Sequence, residues 1–80
     1  MRAKISQEQL DLLESAEETR ELVKPLVTRE PVLALEGEAY PISELRSACE
    51  DVLIRIGFDK DYNPNFYGKM LEDLIDKLFE

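Results

Sequence analysis

The chain has 80 residues, with eighteen Asp and Glu against ten Lys and Arg and no histidine. A net charge of −8 opposes phosphate backbones, whose binding needs Lys and Arg gathered on one face. The missing histidine removes the commonest general base and metal ligand, and a 44% hydrophobic content without a long apolar run excludes both a disordered tail and a membrane span.

The basic stretch Met1-Arg2-Ala3-Lys4-Ile5-Ser6-Gln7 has no apolar segment after it, so it does not read as a secretory signal. Ser6 and Gln9 then have capping-box spacing, and they predict a helix over about 6–23. At helical periodicity Leu12, Leu13, Ala16, Thr19 and Val23 form a thin apolar stripe. Asp11, Glu14, Glu17, Glu18 and Glu21 fall almost opposite, with Leu10 among them and expected to be exposed. Pro25 ends the helix.

Pro31-Val32-Leu33-Ala34-Leu35 and Glu38-Ala39-Tyr40-Pro41-Ile42 are short strand-compatible runs joined by Glu36-Gly37. They predict a β-hairpin over about 32–42, with Leu33 opposite Tyr40, Ala34 opposite Ala39, and Pro41 on an edge strand. Ser43 is placed to cap a helix over about 43–56, with Leu45, Ala48, Cys49, Val52, Leu53 and Ile56 as its stripe. Ile54 points away from that stripe, and Gly57 is expected to end the helix in a left-handed conformation. Asn63-Pro64 predicts the start of a last helix over about 64–79, whose apolar residues cover more than half its circumference. The expected fold is a single α+β domain, mostly helical: an N-terminal helix, a β-hairpin, and an antiparallel helix pair that forms the core.

The motifs for chemistry are sparse. Cys49 lies on an apolar stripe with no histidine to activate it. As a lone cysteine it excludes an intramolecular disulfide, which points to a cytoplasmic setting. Three scattered glycines make no phosphate-binding loop, and four Cys or His zinc ligands cannot be assembled. The expectation is therefore a non-enzyme without cofactor or catalytic residues, and without a metal site.

The segment Asp59-Lys60-Asp61-Tyr62-Asn63-Pro64-Asn65-Phe66-Tyr67 spaces oxygen-bearing side chains at alternate positions. It resembles the first half of an EF-hand calcium loop, which implies a divalent-cation module using Asp59, Asp61, Asn63 and Asn65. Pro64 stands where that motif has its glycine, and Met70 where it has its bidentate glutamate. The competing reading of the segment is a polar turn leading to an asparagine cap.

Six of the eighteen acids lie between Glu8 and Glu21. That concentration leads to the first functional expectation, a small acidic interaction module that binds and inhibits or neutralises a protein with a basic surface. Its contact residues would be Leu10, Asp11, Glu14, Glu17, Glu18 and Glu21. The alternative is a homodimeric or assembly subunit meeting its neighbour through Ile54, Ile75 and Phe79. Direct nucleic-acid binding and membrane insertion are not expected.

Overall fold

In the computed structural model, which describes residues 1–79, strand β1 (Arg2–Lys4) leads into helix α1 (Gln7–Ser15) and short helix α2 (Arg20–Val23). A 3-10 turn, Lys24–Leu26, precedes strands β2 (Val27–Thr28) and β3 (Ala34–Glu36). Helices α3 (Ala39–Ile56) and α4 (Phe66–Lys77) complete an α+β fold that is mostly helical.

Ser6 opens α1 through a complete capping box. Its hydroxyl accepts from the Gln9 amide at 3.1 Å, and the Gln9 side chain accepts from the Ser6 amide at 3.0 Å. The single helix expected over 6–23 is broken, because Ala16 takes an extended conformation at φ −81°, ψ 133°. Buried Thr19 stabilises the break: its hydroxyl donates to the Leu13 carbonyl at 2.6 Å, one of the orphan acceptors at the end of α1.

The break reorients the burial of α1. With the helix ending at Ser15, Thr19 and Val23 no longer define its inner side. Gln9, Leu10, Leu12 and Leu13 are its buried residues, over an arc of about 160° at 100° per residue, while Ala16, Thr19 and Val23 are buried beyond its end. Leu10 is fully buried, which corrects its expected exposure.

The strands pair differently from the expected hairpin. β3 is central in the order β1-β3-β2 and antiparallel to both neighbours. Ala3, Leu35 and Val27 share one row across the sheet and pack on the core. The true hairpin turns through residues 29–33, not at Glu36-Gly37, and residues 39–42 are the first turn of α3. Pro41 is the third residue of that helix, where an amide has no intrahelical acceptor, so the property that suggested a strand edge suits a helix start equally well. Glu38, not Ser43, is the N-cap position; Ser43 lies within the helix.

Helices α3 and α4 run antiparallel and supply much of the core, with Leu45, Cys49 and Val52 from one, Leu71 and Leu74 from the other and Leu78 at its C-cap, all fully buried. Each such leucine contributes about 1.5–3 kcal/mol relative to exposure. Asn65 ties their near ends together: its carbonyl oxygen accepts from the Gly68 amide and its amide group donates to the Ile56 carbonyl, both at 2.8 Å. Asn65 is therefore the cap that the sequence reading placed at Asn63. Gly57 ends α3 at φ −84°, in the right-handed region, so its expected left-handed conformation is corrected too. It is small for another reason, since Gly68 lies directly against its backbone.

Candidate functional site

The acidic residues of α1 and α2 do not form one stripe, because the turn between the helices breaks their common register. Glu18 makes a two-pronged ion pair with Arg55 of α3, at 2.7 and 2.8 Å, which holds its carboxyl below the usual carboxylate range. Glu21 pairs with Lys24 at 2.7 Å and is lowered for the same reason. Asp11 accepts from the Gln7 side chain at 2.9 Å. Glu14 and Glu17 are exposed, whereas Leu10 is fully buried. Of the six expected contact residues, Asp11, Glu14 and Glu17 are left exposed with no ion-pair partner among the described residues.

Other unpaired acids meet apolar surface between α3 and α4. The antiparallel packing sets Glu50 and Leu53 of α3 beside Glu72, Ile75 and Asp76 of α4. Together they line an open groove of about 540 Å³ with Leu53 and Ile75 as its floor. None of its three carboxylates has an ion-pair partner among the described residues. At one end of the helix pair Gly57 and Gly68 bring the backbones together. At the other, the Arg46 guanidinium lies 4.8 Å from the centroid of the exposed Phe79 ring.

Ile54 is 76% exposed, one position beyond Leu53 on α3. Of the residues expected to meet a second copy, Ile54 and Phe79 are exposed and Ile75 is half-buried in the groove floor. The sequence reading had these apolar residues but not Glu50, Glu72 and Asp76 around them. Acids at 72 and 76 flanking Ile75 were a readable signal; that Glu50 joins them depends on how α3 is set against α4.

Further depressions lie among the described residues. One, of about 470 Å³ between α2 and α3, is lined by Glu18, Leu22, Glu44, Ser47, Ala48 and Asp51. Another, of about 330 Å³, lies between α1 and the start of α4, with Leu12, Phe66, Tyr67 and Met70 beside Glu8 and Asp11.

Cys49 is fully buried and its thiol is pushed up to about 12, chiefly by burial, so little thiolate exists near neutral pH. In the loop after α3, one Asp59 oxygen accepts from the Asp61 and Asn63 amides at 2.8 and 3.0 Å. That oxygen organises a turn of its own backbone. Tyr62 occupies the tip at φ 63° and is exposed. Among the described residues no helix is long and apolar enough to cross a membrane. No family model matches this chain, and no curated protein or solved structure matches it.

Proposed function

We propose that the protein is a non-enzymatic interaction module that docks a basic partner protein on the outer face of α3 and α4. One observation carries this reading: an apolar floor of Leu53 and Ile75 lies among three unpaired carboxylates, beside the exposed Ile54. Apolar side chains of a partner would remove the floor and Ile54 from water. Lysine or arginine at the rim of that contact would meet Glu50, Glu72 and Asp76. The chemistry that fits is an amphipathic basic segment, such as a helix with an apolar stripe between cationic flanks. Covering a basic surface in this way would neutralise whatever that surface does.

The charge argues against a second copy as the occupant of this groove. Two such faces brought together would set like carboxylates against each other, at a protein net charge of −8. The partner is therefore taken to be a different protein.

Affinity capture from the native host tests the reading with two charge-reversed variants. One carries Glu50→Lys, Glu72→Lys and Asp76→Lys; the other carries Glu14→Lys and Glu17→Lys. A basic protein held by the unmodified chain, released by salt and lost with the first variant alone, is the expected result. Loss with the second variant alone would move the site to α1 and the turn after it. Retention by both would defeat the electrostatic reading. Light scattering showing a stable dimer that the first variant dissolves would replace the partner by a second copy.

A further inference from the structure

The cleft between α1 and the start of α4 has a different chemistry from the α3–α4 groove and lies on the opposite flank of α4. Phe66 and Tyr67 are 66% and 48% exposed, although they are adjacent aromatics on a helix whose other side is core. Their rings meet edge to face, with centroids 5.8 Å apart and planes at 65°, so they form a corner rather than a stack. Leu12 and Met70 provide an aliphatic and thioether floor. The charged groups that line the cleft are both carboxylates, Glu8 and Asp11. Among the described residues neither has an ion-pair partner. Asp11 engages Gln7 through one oxygen, and among the described residues its other oxygen makes no side-chain hydrogen bond.

We infer that this cleft binds an arginine side chain of a partner peptide. A guanidinium is attracted to the face of an aromatic ring and forms paired hydrogen bonds with carboxylate. Its three-carbon stem buries well on apolar surface while the head stays at a polar rim. The cleft supplies all three features within about 330 Å³: ring surface, an apolar floor and two carboxylates. The same protein already sets a guanidinium against an aromatic ring, where Arg46 meets Phe79. The amino end of α4 opposes a cation with about half a positive charge, but two full carboxylates outweigh it. Arginine fits better than lysine, because a planar fork can lie on a ring and still reach carboxylate oxygens, whereas an ammonium acts as a point charge.

The test uses capped Gly-Arg-Gly and its lysine, citrulline and norleucine analogues, titrated into the full chain. The Met70 methyl and the Phe66 and Tyr67 ring signals are followed by NMR. Arginine is expected to shift these signals saturably, with citrulline and norleucine at least fivefold weaker and lysine intermediate. Glu8→Gln with Asp11→Asn should weaken arginine binding at least fivefold while the amide spectrum stays that of a folded chain. Norleucine or citrulline binding as tightly as arginine would overturn the inference, because the cleft would then not recognise the cation. So would lysine binding as tightly, or the absence of any shift at these three residues. The α3–α4 charge reversals should leave these titrations unchanged, which separates failure of this site from failure of the docking face.

Discussion

Gln9 of α1 donates from its side-chain amide to Asp73 of α4 at 2.8 Å while its carbonyl oxygen accepts from the Ser6 amide at 3.0 Å. One nearly buried side chain thus completes the cap of the first helix and fastens that helix to the last, 64 residues away. Asp73 also receives Lys77 at 3.0 Å, one turn along α4. The cap is local chemistry, and the second bond converts it into a tertiary contact.

Replacing Gln9 should therefore cost more than an ordinary cap. Gln9→Ala removes the Ser6 amide's acceptor and the Asp73 donor together, and should destabilise the fold by about 1–2 kcal/mol. Urea unfolding of the two proteins measures it. Gln7→Ala, two residues earlier and exposed, should change stability by less than about 0.5 kcal/mol.

The Asp73 contact also predicts a pH dependence. Its carboxyl is held below its ordinary range, first by the Gln9 amide and then by Lys77. As pH falls, the unfolded chain takes up this proton before the folded chain does. The stabilisation is therefore complete above the ordinary carboxylate value of about 3.9 and is lost as pH drops through the lowered folded value. Asp73→Asn should lower the urea midpoint at pH 7, and the gap from the unmodified chain should narrow toward pH 2.

The crossing of α3 and α4 leaves no room for a side chain at Gly68. A Cβ there would run into the carbonyl group of Gly57 and its Cα, all backbone atoms that cannot rotate away. Gly68→Ala should destabilise the protein by about 3 kcal/mol despite alanine's higher helix propensity. A thermal melt distinguishes this from the slight stabilisation expected at an unobstructed helical glycine.

Tyr62 is the one non-glycine residue of the described chain with a positive φ, at 63°, and its ring is 85% exposed. The side chain gains little from packing, while its backbone lies where asparagine is far better tolerated. Tyr62→Asn should stabilise the fold by about 0.5–1 kcal/mol, measured by chemical denaturation, and leave binding at both proposed faces unchanged.

The features legible in sequence were those set by neighbours along the chain. Ser6 and Gln9 announced their capping box by spacing alone, because both bonds close within one turn. The buried stripe of α3 followed from periodicity, and Ile54 was placed on its outside correctly. The errors began where a short segment had two local solutions. Tyr40-Pro41-Ile42 suits an edge strand or a first helical turn equally well. The choice rests on β1, which occupies the side of β3 that the expected hairpin would have used. Leu10 was misplaced by one assumption, that α1 continues past Ala16. Nothing adjacent shows the Thr19 hydroxyl reaching back to Leu13.

The sequence by itself therefore determined the acidity, the helical majority, the capping box at Ser6 and the apolar stripe of α3, since these depend on composition and on contacts a few residues apart. Only the tertiary structure decided the strand order, the broken first helix and which acids remain unpaired. The physical reason is range. Glu18 is neutralised by Arg55, 37 residues away, while Glu50 meets Glu72 and Asp76 only because two glycines set the contact between α3 and α4.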